Sequence, residues 1–446
     1  MPLRYELSTG RKPWIQAVGL VIVLNAVFIG LSLSYNLISQ EKIAQRVRQG
    51  FASGDLIERD YLPYDHVRGW HQYNDCNILQ MITNADSSAL GRAMGPWLHL
   101  NNSSAEVCHS LRKLVIDGAD PATIVSSRYT RYWHGYIPIV ATLLSTMDLF
   151  AVRAVLAVTV YAAVLFLFLA SLREQRLLLI TGPASITAAL FWGLPYFGQG
   201  LSHALSDATV MLGLGCLTLW FDRFARSSAL LPFCAGFGAV VVYLEMLTGS
   251  LPTAVGFLFP LVYLISRLSL GENNSRWNHF TRATLGASAF VFGAALTVGI
   301  RIATAATLVR PSGLEVVFSN LELYMQPINT EVGIPAVLQP IGRLIRKGAV
   351  LTYGSNSGLF ALYTSSVLAW LAAGWLAFQR RSYSAWKDFA AFALGAGAIF
   401  GWTVILPTHT FIHAIFMTRI LIVPISLGWA ALLWQLWLQR AKAAPV

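Results

Sequence analysis

Charged residues are scarce in this chain. Asp, Glu, Lys and Arg supply 12% of its 446 residues, against 55% hydrophobic ones, whereas soluble domains carry about a quarter of charged residues. A soluble fold is thereby excluded. Cysteine is scarce too, with four residues and no Cys-x-x-Cys spacing, which argues against redox motifs and zinc ribbons. Neither a low-complexity tract nor a direct or inverted repeat is found, and the second absence weighs against a transporter built from symmetric halves.

Apolar runs of about 18 to 23 residues recur instead, each the length of a bilayer-crossing helix. They predict ten spans, at 14–35, 152–169, 177–194, 205–220, 229–248, 251–265, 284–304, 359–378, 389–406 and 414–436. The expected fold is all-α: a polytopic transmembrane helix bundle forming one integral membrane domain over 1–446. The first run is too long for a signal-peptide core and no small-x-small cleavage site follows it, so it reads as an uncleaved helix.

Lys and Arg distribute unevenly between the two sides of this topology. With a cytoplasmic N-terminus, that side receives 15 of the 32 cations and 5 of the 21 anions. The net charge of +11 is thus a sidedness signal placing both termini in the cytoplasm, and nucleic acid need not be invoked. Two long extracytoplasmic loops follow, 36–150 and 305–357.

The first loop carries helical signals. Ile43, Val47 and Phe51 form a stripe suited to a helix at headgroup level. A short helix is expected from Cys76 to Asn84, opened by Asn74 or Asp75. Ser103 to Glu106 reads as a capping box ahead of Val107, Cys108, Leu111, Leu114 and Val115, with Gly118 as the stop. The apolar stretch 136–149 is too short to span and is expected to be half-buried. Cys76 and Cys108 share this loop, while Cys216 and Cys234 lie in spans. Only the first pair can meet in an oxidising compartment, where a disulfide is expected.

Eight of nine histidines, and the ionisable residues Asp207, Glu245, Arg301 and Arg419, map to the outer side or the outer halves of spans. Ionisable groups at membrane depth suggest a site facing a cavity. His203 and Asp207 are four apart and share a helical face; a structural pair is the competing reading. His409 and His413 have the same spacing, but no HExxH glutamate accompanies them, and sugar or anion contact is the preferred role. Glu245 ends a helix against the dipole and requires a cation, for which Arg301 and Arg153 are candidates. Asp75 follows Trp70, His71 and Tyr73, rings that suit a sugar or headgroup, though it could simply cap a helix. Arg128, Arg131 and His134 stand among four aromatic rings directly before the membrane, where paired guanidinium hydrogen bonds suit a lipid phosphate.

These segments together resemble a group of bacterial polytopic envelope proteins of largely unassigned chemistry. The shared motifs are Asn74-Asp75, Arg131-Tyr132-Trp133-His134-Gly135-Tyr136, the stretch 243–248 with Glu245 where the group has Asp, and His409, His413 and Arg419. In architecture the chain is similar to the GT-C superfamily, glycosyltransferases that use a polyprenyl-phosphate sugar donor. That resemblance implies a bacterial inner-membrane enzyme moving a sugar to an extracytoplasmic glycan or lipid acceptor. Catalysis would fall to an acid, Asp75 ahead of Glu245. Substrate and phosphate contacts would come from His71, Arg131, His134, His203, Asp207, Arg301, His409, His413 and Arg419. No metal site and no cofactor is indicated. One departure is the pair Gln40-Glu41 after the first span, where the superfamily has paired acids. A transporter or flippase of an envelope precursor, and a non-catalytic assembly factor, are the competing classes.

Overall fold

The computed structural model describes residues 11–60, 72–83, 88–100, 106–129, 132–191, 200–245, 249–270, 278–308, 339–345, 356–412 and 417–443. Among the described residues seven helices are long and apolar enough to cross a membrane, and the chain is a multi-pass membrane protein. They are α1 (Arg11–Ser34, extended by a 3-10 turn), α7 (Leu149–Leu172), α12 (Ser250–Leu270), α13 (Asn278–Leu308), α14 (Asn356–Gln379), α15 (Tyr383–Ile405) and α17 (Ile422–Ala443, entered through the turn Thr418–Leu421).

Two of the ten expected spans are shorter helices, α9 (His203–Leu219) and α11 (Leu230–Leu244), and a third, α8, is described from Gln175 to Phe191. At 1.5 Å per residue the first two reach about 22–26 Å, less than a 30 Å hydrocarbon core. Longer neighbours enclose them, α11 between α1 and α13 and α9 against α7. Exposure separates the bundle's centre from its rim, since 78% of the apolar window of α12 is buried and only 22% of that of α14. Leu368, Leu371, Trp375 and Phe378 of α14 are exposed, as lipid-facing residues should be.

The described residues between α1 and α7 pack as a layer of short helices. Helix α2 (Gln40–Ser53) buries Ile43 and Val47, as expected, and stops at Gly54 with φ 77°. Helix α3 (Gln72–Thr83) begins earlier than expected, so Asp75 lies inside its first turn instead of capping it. Two short helices follow, α4 (Ala89–Met94) and α5 (Val107–Val115). Glu106 is the N-cap residue of α5 and makes no side-chain cap; Ser103 and Ser104 lie outside the described residues. Asp60 does the capping from a distance, accepting the amides of Val107 at 3.0 Å and Cys108 at 2.8 Å. Burial raises the pKa of Asp60, and these amide bonds pull the other way. Gly118, with φ 65°, follows the helix as expected.

Cys76 and Cys108 are disulfide-bonded, joining α3 to α5. The fold is helical as expected, with one short antiparallel ribbon added: β1 (Trp97–Leu100) pairs with β2 (Val125–Arg128), Trp97 opposite Arg128. Helix α6 (Tyr136–Leu144) is largely buried. Most of 305–357 lies outside the described residues.

A buried polar cluster joins α12, α15 and α17 near one end. Asp388, fully enclosed, accepts from Tyr263 at 2.8 Å and Trp434 at 2.9 Å and is paired with Arg267.

Candidate functional site

A second cluster lies about 20 Å further along α12, from the 13-residue separation of Ser250 and Tyr263. It gathers side chains from segments distant in sequence. Helix α9 contributes His203, Ser206 and Asp207 on adjacent turns. Helix α11 ends one residue before Glu245, whose backbone is extended (φ −163°, ψ 124°). Gly249 then turns the chain into α12 with φ 135°. A β-carbon at Gly249 would lie 3.2 Å from Arg419 Nε, so glycine serves both the backbone angle and the approach of the arginine.

Arg419, on the 3-10 turn before α17, bridges two carboxylates. Its Nη1 donates to both oxygens of Asp207 at 3.0 Å, and its Nη2 to those of Glu245 at 2.5 and 2.7 Å. The Ser206 hydroxyl bonds Glu245, and that of Ser250 lies 3.3 Å from both acids. His203 Nδ1 is 3.4 Å from Glu245 Oε2, and its Nε2 meets the Asn74 amide at 2.7 Å. Donation by that amide leaves the imidazole proton on Nδ1, facing the carboxylate. Arg419, His203 and Asp207 are at most 2% exposed, and Glu245 is 7% exposed. Charges this deep survive only when paired and hydrogen-bonded. Two acids face one guanidinium, so charge balance in the cluster needs one further proton, on the imidazole or on one of the acids.

Asp75 is buried above this cluster and fully engaged. Its Oδ2 accepts from Arg153 at 2.9 and 2.6 Å, and its Oδ1 from the Leu201 amide at 2.9 Å. Arg153 also donates to the Asp55 carbonyl. Arg153 therefore serves Asp75 and not Glu245. Arg301 does not serve Glu245 either: it donates to the carbonyls of Tyr132 and Met94 and stacks on Trp133, 5.3 Å from the ring centroid. His134 bonds the Tyr136 hydroxyl at 2.8 Å and the Tyr129 carbonyl at 3.1 Å. His409 is buried on α16 (Pro407–Ile412). His71, Arg131 and His413 lie outside the described residues.

Two of the motifs meet directly. The amide of Gly135 donates to the Tyr243 carbonyl at 3.0 Å, and a β-carbon on Gly135 would collide with the Tyr243 ring. That ring stacks on Phe28 at 4.0 Å, fixing the last turn of α11, which leads to Glu245. Among the described residues no group of three or more His, Cys, Asp or Glu is arranged to hold a metal. Asn74, Ser206 and Ser250 complete the site, and the sequence alone had not singled out the two serines, which look like ordinary helix residues.

Comparison with protein-family models, curated proteins and solved structures returns no match.

Proposed function

We propose that the chain is a GT-C-like glycosyltransferase of a bacterial inner membrane, moving a sugar from a polyprenyl-phosphate donor to an extracytoplasmic glycan or lipid acceptor. The observation that carries this reading is the convergence of His203, Asp207, Glu245 and Arg419 beneath a layer tied by a disulfide, a bond that persists in oxidising compartments. In the reaction the acceptor oxygen bonds to the anomeric carbon as the bond to phosphate breaks, its electron pair leaving on the phosphate. The acceptor proton passes to a carboxylate, and a guanidinium stabilises the departing phosphate. Both oxygens of Glu245 accept from Arg419, yet that guanidinium is shared with Asp207, whereas Arg153 has Asp75 as its one carboxylate partner among the described residues. Glu245 is the less fully compensated acid and the better candidate base. Both termini are cytoplasmic in this reading, α8, α9 and α11 complete ten spans, and 36–150 faces outward.

A second reading has one specific support. Two carboxylates against one guanidinium leave an acid that a proton can neutralise, which suits a proton-coupled transporter or flippase of a lipid-linked precursor.

Proteoliposomes with radiolabelled polyprenyl-phosphate sugar and extracted envelope acceptors decide between them. Transfer of label, reduced about 10²- to 10⁴-fold in a folded Glu245→Gln variant, supports the transferase. Movement of intact donor between leaflets without transfer selects the transporter and overturns it.

A further inference from the structure

Outside that site the structure holds a cavity of about 270 Å³, lined by Trp220, Arg223, Phe224, Ala229 and Phe233. It lies where α9 ends, the short helix α10 (Phe221–Arg226) crosses, and α11 begins. The floor is aromatic, with the rings of Phe224 and Phe233 4.7 Å apart. Trp220 is half exposed at the end of an apolar helix, the position that tryptophan favours at a membrane–water boundary.

Three arginines approach this corner and differ in what they do. Arg173, at the end of α7, donates to the Leu219 carbonyl at 3.5 Å, and Arg282, near the start of α13, to that of Ala225. Both satisfy carbonyls that a helix end leaves open. Arg223 is exposed, lines the cavity, and makes no hydrogen bond or ion pair with any described residue. Asp222 is the only acid within 221–226, which also holds Arg226.

We propose that this corner seats one anionic phospholipid of the surrounding bilayer, its phosphate on Arg223 and the upper part of an acyl chain against Trp220, Phe224 and Phe233. An unpaired guanidinium offers a phosphate two parallel donors. The aromatic floor beside it suits a chain attached to that phosphate and gives nothing to a free inorganic anion. A cavity of this size admits a headgroup and the first methylenes, being smaller than the pockets that enclose drug-sized ligands.

Native mass spectrometry of the full chain in detergent, titrated with phosphatidylglycerol or phosphatidylcholine, tests the proposal. One phosphatidylglycerol should be retained under activation that strips phosphatidylcholine. Arg223→Gln should weaken its retention about tenfold, the scale of one charge-assisted hydrogen bond. Ala229→Phe keeps every charge and fills the cavity, and should weaken it as much. Because Arg223 is exposed, its replacement leaves folding intact. Equal retention of the two lipids, or parent-like binding by either folded variant, overturns the assignment.

Discussion

Asn74 and His203 stand 129 positions apart and meet at 2.7 Å, so the layer that contains α3 orients the imidazole of the buried cluster. The neighbouring Asp75 reaches the same region through the Leu201 amide. Two successive residues of α3 thus dock the layer onto the start of α9 and the residues just before it.

Arg419 is expected to be irreplaceable by lysine. One ammonium cannot reproduce the fork that spans Asp207 and Glu245. Arg419→Gln should lower stability by about 3–5 kcal/mol by leaving buried carboxylates uncompensated. Thermal unfolding in detergent checks this, and an Arg419→Gln, Glu245→Gln double variant should be less destabilised than the sum of the singles.

Asp75 and Arg153 form a buried pair, so Asp75→Asn should lower stability as well as activity. The destabilisation should shrink when Arg153→Gln is added, since no charge is then left alone. Loss of activity in Asp75→Asn with unchanged unfolding temperature would instead make the carboxylate a chemical participant.

The bond between Cys76 and Cys108 closes a separation of 32 residues. Non-reducing peptide mapping should recover the two peptides linked. Cys108→Ser should cost about 2–4 kcal/mol and loosen α3, reported by faster amide exchange around Asn74.

Asp60 offers a test by pH. Its folded pKa is raised, mainly by burial, so ionisation is harder in the folded protein than in the unfolded chain. The associated stability is complete below the ordinary carboxylate range and is lost as pH rises through the raised value. Asn at this position keeps a capping oxygen and cannot ionise. It offers one acceptor to two amides, so Asp60→Asn should be less stable than the parent at low pH, with the gap narrowing as pH rises through the raised pKa of the parent's Asp60. Asp60→Ala should lose about 0.5–2 kcal/mol at either pH.

Much of the helical framework was legible because a membrane span needs only an uninterrupted apolar run. The stripe Ile43 and Val47, the stop at Gly118 and the cysteine pair were legible too, each being a local pattern or a matter of elimination. The ribbon was not: two strands of four residues leave no periodicity to read, and Trp97 finds Arg128 only through the folded layer. Partners were the hardest part. His203 and Asp207 share a face as their spacing requires, yet one turns to Asn74 and Glu245 and the other to Arg419, 212 positions away. Charge alone gave Glu245 several possible cations, and only tertiary packing selects among them. Asp388 resembled an ordinary loop-side acid, because nothing local announces that Tyr263, Arg267 and Trp434 enclose it.

Helix α12 is anchored at both extremities, by Ser250 among the acids of the site and by Tyr263 and Arg267 around Asp388. A rod pinned in this way cannot tilt at one pole without breaking polar contacts at the other. A disturbance among Asp207, Glu245 and Arg419 would therefore travel the length of the bundle as a rigid displacement of α12 together with α15 and α17, the helices fastened to its far end.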